Sequence, residues 1–379
     1  MLQHAKTVNR SGHRRRGITL PLLAALIVVL IGLLAFAVDL GYIALVRSQL
    51  QTAADSAALA SASQLLDRDW LQGVSSQSLS DADAQAARFA AANRAGGVSL
   101  LLGSSDVVYG SIANPRDPSS PFDRSRSPYN SAKVTVQRTS AQNGELGLFF
   151  AKIFNRNSLP LTAAATATYE GAIGGFEFSD SIPNQKSLLL PYTVQVDYWE
   201  AAFTSGSDLF GRDPETGEVT AGGDGIREVT LFPTRTTSGN FGTLDIGPAS
   251  NSTDDIERQT LEGPNRADFD ALGGKLALGS DGTLILEGDT GISAGVKDAM
   301  QAIEGDARII PLYTTVTGDG DNSIFTITRF VGCTVVSVKL TGGDKHILIQ
   351  PEFAVDSTAQ GGGPQSDHSF AFQPLRLTR

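Results

Sequence analysis

The sequence has very little of the chemistry from which metal and redox sites are built. Its 379 residues include one cysteine, Cys333, and four histidines, of which His4 and His13 lie near the start and His346 and His368 near the end. One cysteine cannot form an internal disulfide, and the histidine spacings do not fit zinc ligands. We therefore predict no catalytic, cofactor-binding or metal-binding residues, and we predict that Cys333 is a small buried residue of a strand.

Acidic residues are missing from the first 38 positions, which carry five of the 30 lysines and arginines. The rest of the chain then holds 25 basic against 40 acidic residues. This excess of negative charge after residue 38 argues against nucleic acid and anionic lipid as partners. The basic residues beside an apolar run instead indicate topology, with residues 1–17 as a basic tail in the cytoplasm.

An apolar run without any charge extends from Ile18 to Val38, 21 residues that would form roughly 31 Å of helix and cross a bilayer core. A secretory signal usually has a shorter apolar core of about 7–15 residues. The triplet Ala35-Phe36-Ala37 nevertheless fits a cleavage site, so a cleaved signal is the alternative. Because Tyr42 to Leu66 contains neither glycine nor proline, the helical pattern continues past that site without a break. We therefore predict a retained transmembrane helix at 18–38.

The helical pattern beyond the span carries one apolar face. Its residues recur at alternating spacings of three and four, and they form a seam of Ile43, Val46, Leu50, Ala53, Ala57 and Ala60. Because the seam is rich in alanine, a packing partner can approach it closely. That partner is either another part of this chain or a second membrane-bound subunit.

Asp39 and Tyr42 lie at the far edge of the span. Tyr42 suits the interfacial zone, where aromatic residues gather. A carboxylate at the depth of Asp39 either marks the membrane boundary or pairs with a cation on a neighbouring subunit. The predicted interface therefore consists of Asp39, Tyr42, Ile43, Val46, Leu50, Ala53 and Ala57.

Three stretches resemble one known family. They are Arg15-Arg16-Gly17 before the span, the AVDLGY that begins at Ala37, and the VRSQLQTAADSAALASA that begins at Val46. Over residues 14–63 the chain resembles the N-terminal region of TadG-like proteins, which belong to the bacterial tight-adherence (Flp pilus) assembly group. The stretches GNFGTLDIG, GDTGISAG and RIIPLY resemble, more loosely, the C-terminal region of some TadE/TadG-like proteins.

The resemblance implies a single-pass protein of the bacterial inner membrane whose bulk is periplasmic and whose partners are other membrane or pilus-assembly subunits. Type IV prepilins are cut after a glycine whose fifth following residue is glutamate. Here Gly17 is followed at that position by Leu22, which argues against pilin-type processing. Many TadG-like proteins also carry a von Willebrand A domain with a metal site, a module that we do not expect in this chain.

The remaining sequence predicts an α+β fold with mostly antiparallel strands. A membrane-proximal helical hairpin is expected at 39–97, and its second helix should carry Ala82, Ala86, Phe89 and Asn93 on one face and end at Gly96-Gly97. A small α+β unit at 98–175 and a β-rich α+β extracytoplasmic domain at 176–360 should follow, with a loose tail at 361–379. Hairpin turns are expected at 318–322 and at Gly342-Gly343.

Two kinds of motif hint at chemistry. Residues 291–295 fit the G-x-S-x-G pattern, with Ser293 as a nucleophile and His346 as its base. However, Gly288-Asp289-Thr290 separates the preceding strand from the serine, so a glycine-rich turn before a helix is the simpler interpretation. The acidic turns at 319–322 and around Asp224 offer carboxylates to calcium but lack the twelve-residue loop with its distal glutamate. We therefore predict that the protein is not an enzyme.

Taken together, the sequence predicts a membrane-anchored structural or assembly component of a tight-adherence pilus or a related surface apparatus. It would act through helix packing and extracytoplasmic protein contacts. The alternative is a membrane-tethered extracytoplasmic binding module that is unrelated to pili.

Overall fold

The computed structural model describes residues 19–73, 79–233, 241–248, 252–318, 320–364 and 366–378. The basic tail predicted at 1–17 and Asp319 of the acidic turn lie outside these residues. The α-helices of the described part are α1 (Thr19–Ala62), α2 (Arg68–Leu71), α3 (Ser80–Ala92), α4 (Val196–Ser205), α5 (Thr253–Glu262), α6 (Arg266–Ala271) and α7 (Lys297–Ala302). Short 3₁₀ helices cover Ala151–Phe154, Ala294–Val296 and Gly320–Asn322.

The strands are given in chain order. The first eleven are β1 (Arg94–Ala95), β2 (Val98–Ser99), β3 (Val107–Gly110), β4 (Ser131–Arg138), β5 (Leu146–Gly147), β6 (Ser158–Leu159), β7 (Leu161–Thr168), β8 (Ile173–Glu177), β9 (Tyr192–Gln195), β10 (Phe210–Arg212) and β11 (Val219–Ala221). The others are β12 (Val229–Phe232), β13 (Phe241–Leu244), β14 (Lys275–Ala277), β15 (Leu284–Asp289), β16 (Ala307–Thr317), β17 (Ser323–Lys339), β18 (His346–Pro351), β19 (Ala354–Val355), β20 (Ala359–Gly361), β21 (Ala371–Phe372) and β22 (Arg376–Leu377).

Helix α1 is a single helix of 44 residues, as the uninterrupted pattern predicts. Its first half is exposed, and its second half packs against α3. The buried side chains of α3 are Ala82, Ala86 and Ala90, whereas Phe89, which the sequence places on one face with Ala82 and Ala86, is exposed. Because alanines of both helices meet, the backbones come too close for a phenyl ring. The helix ends at Ala92, before the predicted glycines, and Gly96 and Gly97 instead form the left-handed turn between β1 and β2.

A four-stranded antiparallel sheet in the order β22-β7-β4-β3 lies against α1. The side chains of β4 alternate between the two faces of the sheet, and Ala132, Val134 and Val136 are buried. These side chains share one core with α1 and α3. We call this assembly (the second half of α1, α3 and the strands β1–β7 and β22) the membrane-proximal unit.

The rest of the chain, which we call the body, is organised around a larger sheet in the order β12-β18-β17-β15-β13-β9-β16. Strand β16 pairs antiparallel with β17 and also pairs in parallel with β9, through Leu312 and Val194. Because β9 pairs with β13, β13 with β15 and β15 with β17, these five strands form a closed ring. Closure removes the open edges that would otherwise pair with other chains.

Helices cover one side of the body. Trp199 of α4, Ile256 of α5 and Met300 of α7 share a core with β9, β16 and β17. The short helix α2 connects the two parts: its Trp70 enters this core, and its Arg68 pairs with Asp224 at 2.7 Å.

The described residues of the C-terminal segment contain strands and buried side chains, in contrast to the loose tail predicted at 361–379. Phe370 and Phe372 are buried, β21 pairs with β19, and β22 joins the sheet of the membrane-proximal unit by pairing with β7. Because the segment begins with several glycines, its sequence does not predict the short apolar strand that follows them. Apart from this segment, the α+β class with mostly antiparallel strands is confirmed, as are the hairpin turns at 318–322 and 342–343.

Candidate membrane-proximal packing site

Asp39 is buried at the point where α1 leaves the predicted span. One carboxylate oxygen accepts a hydrogen bond from the backbone N–H of Phe149 at 2.8 Å. The other accepts from the N–H groups of Phe150 at 3.0 Å and Ala151 at 2.7 Å. The partner that this carboxylate needs is therefore a set of backbone donors at the start of the 3₁₀ helix Ala151–Phe154, in the same chain.

Tyr42 and Arg138 also belong to the site around Asp39. The ring of Tyr42 lies 5.1 Å from that of Phe149, between centroids. The guanidinium of Arg138 is buried and donates to three backbone carbonyls, of Ala95 at 2.5 Å, Gly144 at 2.7 Å and Glu145 at 3.2 Å. Arg138 thus joins the turn after α3 to the segment that Asp39 holds.

The seam of α1 lies inside this chain. Val46, Leu50, Ala53 and Ala57 are fully buried in the core shared with α3, β4 and β7, and Ile43 packs at its margin. Polar contacts fix the register of this packing. Gln49 accepts from the N–H of Gly96 at 2.9 Å, and Asn93 donates to Ser56 at 3.0 Å. Of the two partners left open by the sequence, the structure shows the one within the chain.

Tyr109 ties α3 to the sheet. Its hydroxyl donates to Asp83 at 2.7 Å and lies 3.2 Å from the hydroxyl of Ser61 on α1. Burial raises the pKa of Tyr109 well above its usual value, so the hydroxyl keeps its proton at physiological pH and remains a donor.

Sequence reasoning missed the residues that hold Asp39. Phe149, Phe150 and Ala151 act through backbone N–H groups, which every residue except proline possesses, so no sequence signal marks them. The sequence pattern could have identified Arg138, because this residue ends an alternating strand at a position where an inward-facing residue is expected. A charged residue at such a position indicates a buried polar anchor.

The residues suggested for hydrolysis have other contacts. The hydroxyl of Ser293 accepts from the N–H of Gly295 at 3.2 Å and caps the 3₁₀ helix Ala294–Val296, so the turn is an ordinary helix start. His346 places one ring nitrogen 2.9 Å from the hydroxyl of Ser337 and the other 2.9 Å from the carbonyl oxygen of Asp344. Ser293 and His346 therefore do not form a nucleophile–base pair in this structure.

Three further sites bear on metal or redox chemistry. The pattern D-x-S-x-S, which is that of the von Willebrand A metal site, occurs at 123–127 in the loop between β3 and β4. There Asp123 accepts from the N–H of Ser125 at 2.8 Å and from its hydroxyl at 2.6 Å. These bonds, led by the one from the hydroxyl, lower the pKa of Asp123.

Asp224 pairs with Arg68, and within the described ranges no group of three or more His, Cys, Asp or Glu side chains could hold a metal. Cys333 lies fully buried in β17, as predicted, and burial raises the pKa of its thiol to about 12.

Residues 17–64 match the family described as putative Flp pilus-assembly TadE/G-like. The resemblance drawn from the N-terminal sequence is therefore confirmed, and the matched segment contains the whole of α1. The looser C-terminal resemblance lies outside the match and stays a prediction. A search of the curated proteins found no match, and neither did a search of the solved structures.

Within the described residues, the helix from Leu20 to Ala62 is long and apolar enough to cross a membrane, and none of its most apolar window is buried. The family match and this helix together support a membrane-anchored protein of the pilus-assembly type. The site at the exit of the helix joins the anchor to the folded part of the chain.

Replacing Asp39 by asparagine should loosen the segment at 148–157. An amide has one acceptor oxygen and turns its NH₂ group toward N–H donors, so at least one of the three bonds is lost. We expect several-fold faster hydrogen–deuterium exchange of this segment in the full chain. Asp55→Asn is the matched control, because Asp55 also lies on α1 but, among the described residues, accepts from the side chain of Gln51 alone. Unchanged exchange in Asp39→Asn would show that the carboxylate does not hold the segment.

Proposed function

We propose that this protein is a membrane-anchored structural component of a tight-adherence pilus assembly or a related surface apparatus. Its N-terminus would lie in the cytoplasm of a bacterial cell, α1 would cross the inner membrane, and the folded part would lie in the periplasm. The five basic residues before the span support this orientation.

The observation that carries the proposal is the continuity of α1. One helix forms both the exposed apolar half, from residue 20 to 38, and the half that is built into the core of the membrane-proximal unit. Because no flexible linker separates them, a displacement or tilt of the membrane half is transmitted directly to the folded part. Such a rigid connection suits a component that positions other subunits at the membrane surface.

The surface left for partners differs from the seam. Since the seam is filled by the chain itself, contacts with other membrane subunits would fall on the exposed face of residues 20–38 and at the margin around Ile43. Extracytoplasmic contacts would use the body, whose acidic surface favours basic partner surfaces.

Co-purification tests the proposal. The full chain, tagged at its C-terminus and crosslinked in membranes of a tight-adherence-producing cell, should retain identified pilus-assembly subunits. A control chain whose residues 18–38 are replaced by an unrelated span of equal length should retain fewer of them. If the full chain retains none of these subunits, the proposed function is wrong, and the membrane-tethered binding module is favoured.

Replacing Ala53 by leucine should destabilise the protein by about 1–3 kcal/mol, because the seam has no space for three added carbon atoms. The expected result is a lower denaturant midpoint for the full chain in detergent. Ala44→Leu is the control, because Ala44 lies on the exposed face of the same helix and its substitution should be close to neutral. Equal midpoints for the two variants would contradict the packing of the seam within the chain.

A further inference from the structure

Strands β5 and β6 form a short hairpin whose tip carries four large apolar side chains that contact solvent. They are Phe149, Phe150, Ile153 and Phe154. Ile153 and Phe154 are the most exposed, at 80% and 78%. An exposed cluster of this kind marks a contact surface, because single exposed apolar residues are common on soluble proteins whereas clusters are not. We call residues 149–154 the hairpin tip.

The hairpin tip is fixed beside the end of the predicted span. Asp39 accepts from three of its N–H groups, and the 3₁₀ helix of the tip contacts α1. Among residues 20–38, Ala35 alone is partly covered. It lies on the same face as Asp39, one turn and about 6 Å closer to the membrane centre. The partly covered position of this range therefore lies on the face of α1 that carries Asp39.

Several backbone N–H groups of the tip are bonded within the protein, which is what a bilayer requires of the backbone that enters it. Asp39 takes the first three N–H groups. The N–H of Ile153 donates to the carbonyl of Phe150 at 3.0 Å, and that of Asn155 to the carbonyl of Lys152 at 3.0 Å. At the exit, the N–H of Arg156 donates to the carbonyl of Ala151 at 3.1 Å.

The charged residues of this segment also suit a position at the membrane surface. Lys152 and Arg156 are exposed; Lys152 lies among the apolar residues of the tip in sequence, and Arg156 follows them. Long basic side chains next to a buried apolar cluster can extend their charged ends to the headgroup layer.

We propose that the hairpin tip inserts into the phospholipid bilayer that α1 spans, in the leaflet next to the folded part. The protein then has two membrane contacts, the span and the tip, with Asp39 joining them. Two contacts fix the rotation of α1 about its axis and hence the face that the membrane-proximal unit presents to other subunits. This inference rests on the membrane anchorage of α1 in the proposed function.

Tryptophan fluorescence in brominated lipid tests the insertion. The full chain is reconstituted in phosphatidylcholine vesicles whose acyl chains carry bromine, and the emission of Trp70 and Trp199 is measured in the unsubstituted chain as background. Phe154→Trp adds a probe at the tip, and Ile153→Trp adds a second one at a neighbouring exposed position. Leu30→Trp places a probe in the middle of the span, and Ile285→Trp places one on an exposed position of the body.

We expect bromine to quench most of the added emission at positions 154, 153 and 30 and none at 285. At the tip, bromine near the headgroups should quench more than bromine at the chain ends. Quenching at 30 without quenching at 153 and 154 would overturn the insertion and leave the anchor intact. Unquenched, blue-shifted emission at the tip would overturn it in favour of a protein cover, such as a second copy. Absence of quenching at 30 would overturn both the anchor and the insertion.

Discussion

Replacing Phe325 by alanine should lower the free energy of unfolding by about 3–5 kcal/mol, the range found for a fully buried phenylalanine. Its ring lies inside the closed ring of strands. A Cβ atom added at Gly242 on β13 would lie 2.5 Å from the ring, and one added at Gly288 on β15 would lie 3.2 Å from it. On β16, Tyr313 packs edge-on at 5.1 Å between centroids.

The expected effect is large because no neighbour can fill the space. The two glycines have no side chains, and Tyr313 is itself fully packed. Removal of the ring therefore leaves a cavity in contact with three of the five strands. Denaturant unfolding of the full chain in detergent, followed by the fluorescence of the buried Trp70 and Trp199, measures the loss.

Ile324→Ala is the matched control for Phe325→Ala. Ile324 is the preceding residue of the same strand, but its side chain points outward and is exposed. We expect a change within about 0.5 kcal/mol. A similar loss in both variants would contradict the packing of Phe325 inside the ring.

The sequence predicts the local elements of the body but not the ring. The turns at 318–322 and 342–343 follow from glycine, aspartate and asparagine between alternating strands, so both hairpins could be predicted. The ring depends on the parallel contact of β9 with β16, which joins Val194 to Leu312. Strands of similar composition pair equally well in many orders, so nothing local distinguishes this pairing.

For the packing site, too, the sequence predicts the local pattern but not the long-range contacts. Periodicity correctly predicts an alanine-rich face on α1, because the spacing of apolar residues reports which side of a helix is buried. It does not report what covers that side, and here the cover is α3 and the alanines of β7. For Asp39 the sequence leaves open a membrane boundary or a cation on a neighbouring subunit, whereas the groups that bond it in the structure are backbone N–H groups more than a hundred positions further along the chain.

Replacing Arg138 by methionine should cost about 3 kcal/mol of stability, because the buried carbonyl of Ala95 and the partly buried carbonyls of Gly144 and Glu145 lose a charged donor. The side chain is 5% exposed, and its three bonds hold Ala95, Gly144 and Glu145 together. Methionine replaces the volume of the aliphatic part but donates no hydrogen bond. Thermal unfolding of the full chain in detergent, followed by circular dichroism, measures the effect.

Two further variants serve as comparisons for Arg138→Met. Arg138→Lys should lie between methionine and arginine, because an ammonium group cannot match the planar fork that reaches three carbonyls. Arg88→Met, at an exposed position of α3, should be close to neutral. Since Gly144 and Glu145 lead into the hairpin tip, Arg138→Met should also weaken bromine quenching of a tryptophan at position 154, whereas Arg88→Met should leave it unchanged. Full stability together with full quenching in Arg138→Met would mean that Asp39 holds the tip without help from Arg138.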